Sequence, residues 1–71
     1  MKIDEKIKEL RTEKGLSQAE LGKAIGASQK AVDYWERNIN EPKIGYVMNL
    51  INFFEISYDE FFADIETPNG K

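Results

Sequence analysis

Three serines mark the starts of short helices, and their positions limit the folds that the chain can adopt. Ser17 and Ser57 each stand three residues before a glutamate, which is the pattern of a capping box. Ser28 offers another helix start two residues after Gly26, and glycine suits the left-handed turn that ends a helix. Apolar residues at helical spacing fill the segments between these signals. The sequence therefore predicts an all-α protein of five helices, at about 3–14, 18–25, 29–37, 44–54 and 58–63.

Length and residue types exclude several classes of protein. A chain of 71 residues is expected to form one domain. It has no cysteine and no histidine, which removes disulfides, zinc–thiolate sites, thiol catalysis and the commonest general base. It also shows no glycine-rich phosphate loop, no apolar run near the roughly 20 residues of a membrane span, and no signal-peptide pattern. We therefore expect a cytoplasmic domain over 1–66 with a frayed tail over 67–71, which is not an enzyme and needs no metal or cofactor.

The charge of the chain is unevenly spread. The net charge of −3 argues, by itself, against a partner made of phosphates. However, residues 1–44 hold nine basic and eight acidic residues, giving +1, whereas residues 45–71 hold one basic and five acidic residues, giving −4. The acidity belongs to the C-terminal part, so any basic surface in the first two thirds must come from sorting charges between helix faces.

The helices predicted at 18–25 and 29–37 have the layout of a helix-turn-helix unit that spans about 17–37. Gly22 is the small residue needed where the two helices cross, and Gly26 tolerates the positive φ of the turn. The apolar residues expected to face the core are Leu21, Ile25, Val32 and Trp35. On the outward side, Gln29 can bond adenine, and Lys30 can bond guanine or a phosphate. A solvated helix start is the plainer interpretation of these two residues.

Over about residues 3–62 the chain resembles the Cro and phage-repressor type of helix-turn-helix family, also called the xenobiotic-response-element type. The residues that carry the resemblance are Ile7-Lys8-Glu9-Leu10-Arg11, Lys14-Gly15-Leu16-Ser17-Gln18, Leu21, Ile25-Gly26, Ser28, Trp35-Glu36-Arg37-Asn38, Pro42, Ile56-Ser57 and Asp59-Glu60-Phe61-Phe62. Each piece is a weak signal, but their order and spacing together are specific. The resemblance implies a compact five-helix bundle, the lambda repressor-like DNA-binding fold.

The resemblance also implies roles for single residues. In the positions that face the major groove in the family, this sequence has Ser28, Gln29, Lys30, Asp33 and Tyr34. In the positions where relatives contact phosphates, it has Gln18, Arg37, Asn38, Asn40 and Lys43. Arg11 and Glu36 match an ion pair that ties the first helix to the third. Double-stranded operator DNA and a second copy of the chain are the implied partners.

Two departures from the family pattern lie in the helix-turn-helix unit itself. Gly22 stands where alanine is commoner, and Ala27 stands where valine or isoleucine is commoner, so we expect a slightly looser unit. Asp33 places a carboxylate on the face that reads DNA. It would repel phosphate, or it would accept a hydrogen bond from cytosine N4.

The C-terminal segment is more apolar than a bundle of this size needs. Some of its aromatic residues must close the core, and the remainder indicate a patch for a dimer partner. The residues of this predicted dimer patch are Phe53, Phe61, Phe62 and Ile65.

Two functions are compatible with these features. The first is a sequence-specific DNA-binding transcriptional regulator, a repressor, that inserts the helix at about 29–37 into the major groove as a dimer. The weak positive charge of residues 1–44 predicts low affinity for non-specific DNA and a shallow dependence of binding on salt. The alternative is an antitoxin or a phage or plasmid regulator that acts mainly through a protein partner, bound by the acidic, aromatic C-terminal helices.

Overall fold

The computed structural model describes residues 3–63, and within that range the chain forms five α-helices and no strand. They are α1 (Ile3–Glu13), α2 (Gln18–Ile25), α3 (Gln29–Glu36), α4 (Ile44–Phe54) and α5 (Tyr58–Phe61). The prediction of an all-α, five-helix bundle is confirmed, and each predicted boundary lies within two residues of the observed one. Ile65 and the tail predicted at 67–71 lie outside the described residues.

Serine caps begin three of the helices, as the sequence indicates. Ser17 Oγ accepts a hydrogen bond from the Glu20 amide at 3.0 Å, and Glu20 Oε1 accepts one from the Ser17 amide at 2.8 Å, so the capping box at α2 is complete. Ser28 Oγ and Ser57 Oγ each accept a bond from the backbone amide three residues later, at 3.0 Å. Each bond satisfies an amide that the helix itself leaves unpaired, and a cap of this kind contributes about 1 kcal/mol.

All five helices contribute to one hydrophobic core. The side chains with no exposed surface include one from each helix, namely Ile7, Leu21, Val32, Leu50 and Phe61. Trp35 is also buried and lies 5.4 Å, ring centre to ring centre, from Tyr46 of α4. The core therefore fixes the orientation of α3, because its inward residues are held by both α2 and α4.

The predicted dimer patch is wrong at Phe61. This side chain is fully buried, because α5 closes the bundle and carries Phe61 into the core. Phe53 and Phe62 are half-buried and pack against the same core, so only their outer edges remain for a partner. Among residues 3–63, the large apolar side chains that are exposed are Ile39, Ile44, Met48 and Tyr58.

None of the helices within residues 3–63 has the length and apolar character that crossing a bilayer requires.

Candidate nucleic-acid interface

The crossing of α2 and α3 is tight because Gly22 has no side chain. A Cβ built on Gly22 would lie 2.9 Å from the carbonyl groups of Ala27 and Ser28, which is too close for any other residue without a backbone shift. The Ala27 amide donates to Gly22 O at 2.7 Å, and Gly26 turns the chain in the left-handed region with φ 82°. The expectation of a looser unit is therefore wrong at this position, since glycine permits a closer approach than alanine would.

The residues predicted to read bases lie on the outer side of α3 and at its start. Ser28, Gln29 and Lys30 are exposed, while Asp33 and Tyr34 are half-buried. Val32 and Trp35 point the other way, into the core. An eight-residue helix with one apolar face buried thus presents a row of polar side chains on the face that the bundle leaves open.

Gln18 connects the first turn of α2 to this row. Its Oε1 accepts a hydrogen bond from Gln29 Nε2 at 3.0 Å. Its Nε2 lies within hydrogen-bond distance of Glu36 Oε1, at 3.1 Å, and of Asp33 Oδ1, at 3.3 Å. These bonds hold the Gln18 amide in one orientation and so fix which end of the Gln29 amide remains free.

Arg11 and Glu36 form an ion pair that supports the hydrogen bonds around Gln18. Arg11 Nε donates to Glu36 Oε2 at 2.6 Å and Nη2 donates to Oε1 at 3.0 Å, which is the bidentate geometry of a strong ion pair. Arg11 Nη1 also donates to the carbonyl of Leu16 at 2.7 Å. The hydrogen bond to Glu36 raises the pKa of Arg11 above its ordinary value, against the opposing effect of burial. Arg11 therefore ties α1 and the loop before α2 to α3, and it is not free for a ligand.

A second, more exposed ion pair lies at the end of α3. Arg37 Nη2 lies 3.0 Å from Asp33 Oδ2, and Arg37 Nε donates to the same oxygen at 3.1 Å. The guanidinium carbon of Arg37 is 5.8 Å from the centre of the Tyr34 ring, and Lys30 Nζ is 5.6 Å from it. Tyr34 is thus flanked by two cations, both at cation–π distance.

An open cleft of about 590 Å³ separates α3 from the loop before α4 and the start of that helix. Its lining brings several predicted base-reading residues together with two predicted phosphate residues. The lining residues are Ser28, Lys30, Ala31, Tyr34, Trp35, Asn40, Glu41, Lys43 and Tyr46. Lys43 is the N-cap of α4, and no side chain caps the first turn of that helix. No capping side chain therefore competes with an anion for the amides of that turn.

Two asparagines have structural roles that the sequence analysis missed. Asn38, predicted to contact phosphate, adopts a left-handed conformation with φ 60°, and its amide donates to Trp35 O at 3.1 Å. Asparagine tolerates this conformation better than most residues, which was the available signal. Asn49 of α4 donates from Nδ2 to Ile25 O at 3.0 Å and so caps the end of α2. A contact between residues 24 positions apart has no local signal in the sequence.

Comparison with known proteins agrees with this geometry. Residues 7–61 match the helix-turn-helix family. The chain is 30% identical over 66 residues to the HTH-type transcriptional activator BcrR of Enterococcus faecalis, covering 93% of this chain and 32% of that protein. It is 32% identical over 62 residues to the cryptic phage CTXphi transcriptional repressor RstR of Vibrio cholerae, covering 87% of this chain and 56% of that protein. The chain therefore spans between a third and somewhat more than half of the length of these relatives.

A solved structure has the same fold. The crystal structure of the P22 c2 repressor protein in complex with synthetic operator 9T, in the presence of Tl⁺, superposes with a TM-score of 0.76 at 32% identity. The superposition covers 83% of this chain and 89% of that one. Together with the match over residues 7–61, it shows that the chain belongs to the Cro and phage-repressor type of helix-turn-helix family and has the lambda repressor-like fold.

Proposed function

We propose that the chain is a sequence-specific DNA-binding transcriptional regulator, a repressor, that inserts α3 into the major groove. The observation that carries the proposal is the outer face of α3, where Gln29 is exposed and oriented by its hydrogen bond to Gln18. The P22 c2 repressor, whose fold this chain shares, is bound to operator DNA in its crystal structure. An α-helix fits the major groove, where each base pair has its own pattern of donors and acceptors.

Gln29 and Lys30 are the main base readers in this proposal. An amide can bond adenine through N6 and N7, and a lysine ammonium can bond guanine O6 and N7. Because Gln18 Oε1 occupies one hydrogen of Gln29 Nε2, the amide keeps Oε1 and the other hydrogen for a base. Ser28 and Tyr34 border these two residues.

The phosphate contacts come from both ends of the unit. Gln18 lies in the first turn of α2, and Lys43 precedes the first turn of α4, where backbone amides and the helix dipole favour an anion. The Gln18 side chain is itself bonded to Gln29, Glu36 and Asp33, so the contact at α2 is assigned to the backbone amides of that turn. Asn38 and Asn40 lie in the loop between, on the exposed surface. Arg37 was expected to join this set, but its guanidinium is bound to Asp33.

The proposed active form is a homodimer on two half-sites about one helical turn apart. Since Phe61 is buried, the second copy must cover other apolar surface. Ile44 and Met48 are exposed, four residues apart on one side of α4, and are candidates for that contact.

Selection of bound duplexes from a random pool, followed by titration of single variants, tests the proposal. Gln29→Ala should relax the choice of base at one position of each half-site by about 1–3 kcal/mol. Lys43→Ala should weaken binding to all duplexes alike and lower the salt slope by about 1. Lys8→Ala, which removes an exposed lysine from α1, is the matched control and should change neither. Failure of the folded protein to enrich any duplex at low salt would refute the proposal.

The alternative, a regulator that acts mainly through a protein partner, loses part of its support. It relied on the aromatic residues of the C-terminal helices, and Phe61 of that set belongs to the core.

A further inference from the structure

Asp33 is the acidic member of the residues predicted to face the major groove, and both oxygens of its carboxylate already have partners. Oδ2 accepts from Arg37 Nε at 3.1 Å and lies 3.0 Å from Nη2. Oδ1 lies 3.3 Å from Gln18 Nε2. The Asp33 side chain is only 29% exposed. It therefore has little capacity left to accept a bond from cytosine, the base role open to it by type.

Arg37 differs from the exposed lysines of the same surface. Its side chain is 60% exposed, so phosphates could reach it, yet its charge is compensated by Asp33 and its guanidinium lies beside the Tyr34 ring. Lys23 and Lys43 are exposed and form no ion pair within the part of the chain that the structure describes. Arg37 is thus held in an ion pair, whereas Lys23 and Lys43 remain available to phosphates.

We infer that Asp33 withholds Arg37 from DNA phosphates and so lowers the affinity of the protein for DNA of any sequence. The inference rests on the proposed function. An unpaired arginine at the end of α3 would bind phosphates of any sequence, and such contacts strengthen binding to all DNA alike. By holding Arg37, Asp33 lowers affinity for random and selected duplexes alike and raises the share of the total affinity that depends on base contacts.

Two other arrangements make different predictions. In the first, a phosphate displaces Asp33 from Arg37 on binding, because an ion pair one helical turn apart at a surface is weak. Asp33 would then not affect the number of phosphate contacts. Alternatively, Asp33 repels phosphates directly, and its effect would not depend on Arg37.

The test is the affinity of Asp33→Asn for a random duplex and for the selected duplex, measured between 50 and 200 mM salt. If Arg37 gains one phosphate contact, the slope of log K against log salt should steepen by about 0.9. Over this fourfold range, the gain in affinity at 50 mM should be about 3.5 times the gain at 200 mM. Because the new contact is to a phosphate, both duplexes should gain affinity by the same factor, and the ratio of selected to random affinity should stay unchanged.

Three controls separate the explanations. In an Arg37→Gln background, Asp33→Asn should no longer steepen the slope, because the arginine is gone. Asp59→Asn makes the same change in net charge on the exposed surface of α5, outside the residues assigned to DNA, and should leave the slope unchanged. Asp33→Ser should behave as Asp33→Asn does, and circular dichroism establishes that each variant is folded.

The inference is overturned if Asp33→Asn keeps the wild-type slope, if Asp59→Asn steepens it equally, or if the effect persists without Arg37. These results leave the proposed function intact, because the wild type still selects its duplex. Absence of binding by the wild type and by every variant overturns the proposed function, and the inference with it.

Discussion

Replacing Arg11 by methionine tests whether the helix-turn-helix unit depends on its buried ion pair. Arg11 donates two hydrogen bonds to Glu36 and a third to the carbonyl of Leu16, over distances from 2.6 to 3.0 Å. Methionine retains much of the aliphatic stem but removes all three. Glu36, whose side chain is only 4% exposed, is then left with Gln18 Nε2 as its remaining bonded donor among the described contacts.

The expected cost follows from burial. Exposed ion pairs contribute about 0–1 kcal/mol, whereas breaking a buried pair costs about 3–5 kcal/mol, because the remaining charge stays out of water. With side-chain exposures of 13% for Arg11 and 4% for Glu36, this pair is close to the buried case. We therefore expect Arg11→Met to lower the free energy of unfolding by about 3 kcal/mol.

A loss of that size is large for this chain. A domain of 71 residues has a free energy of unfolding of about 4–11 kcal/mol. A loss of about 3 kcal/mol should lower Tm by about 12–24 °C in a domain of this length. Urea unfolding followed by far-ultraviolet circular dichroism measures the free energy, and a thermal scan measures Tm.

The double variant Arg11→Met, Glu36→Leu is the critical comparison. With both charges removed, most of the stability should return, because apolar pairs of similar volume replace buried ion pairs at little cost. Gln18 still loses its bond to Glu36, so the double variant should be folded but should discriminate less well at the base read by Gln29. A cost below about 1 kcal/mol for Arg11→Met would show that the pair behaves as a surface pair, and a double variant less stable than both single ones would refute the burial argument.

Three further predictions concern the fold. Gly22→Ala should lower the free energy of unfolding by about 1–3 kcal/mol, because the new Cβ meets the backbone of the turn at 2.9 Å; Gly45→Ala, whose Cβ meets nothing within 4 Å, should instead raise it by up to about 1 kcal/mol. If urea unfolding shows that both substitutions change the free energy of unfolding in the same direction, the packing argument is contradicted. Glu55→Gly should raise Tm, since Glu55 ends α4 at φ 57°, a conformation that costs a non-glycine residue about 1 kcal/mol; an unchanged or lower Tm would contradict this. Phe61→Ala should cost about 3–5 kcal/mol, and Tyr58→Ala less than 1 kcal/mol, because the first side chain is fully buried and the second is 51% exposed; similar costs would mean that α5 does not close the core.

The sequence predicts the helices well because their boundaries depend on local chemistry. Ser17, Ser28 and Ser57 cap the amides of their own first turns, and Gly26 adopts the left-handed conformation that few other residues tolerate. These effects act within four or five residues. The face of α3 that enters the core follows equally from the spacing of Val32 and Trp35.

Contacts between distant segments are harder to predict. The Arg11–Glu36 pair follows from the family resemblance, not from any rule on residues 25 positions apart. The sequence does not predict the bonds from Gln29 to Gln18 and from Asn49 to Ile25, because polar side chains have many potential partners. Aromatic content alone does not say which ring is buried, so Phe61 was assigned to a dimer patch although it belongs to the core.

The ion pairs also change what the acidic composition implies. The chain has two arginines, Arg11 and Arg37, and each binds a carboxylate of α3. Positive charge on the proposed DNA surface is therefore left to lysines, with Lys23, Lys30 and Lys43 on α2, α3 and the start of α4. If each of these three lysines neutralises one DNA charge, whether it lies against a phosphate or a guanine, the salt slope is about −3 for each bound protomer, and affinity falls about 40-fold between 50 and 200 mM salt. A slope steeper than about −5 would mean that the arginines also contact phosphates and that their ion pairs open on binding. With a slope near −3, a net charge of −3 is compatible with DNA binding, since most of the selectivity then comes from base contacts and from the second protomer.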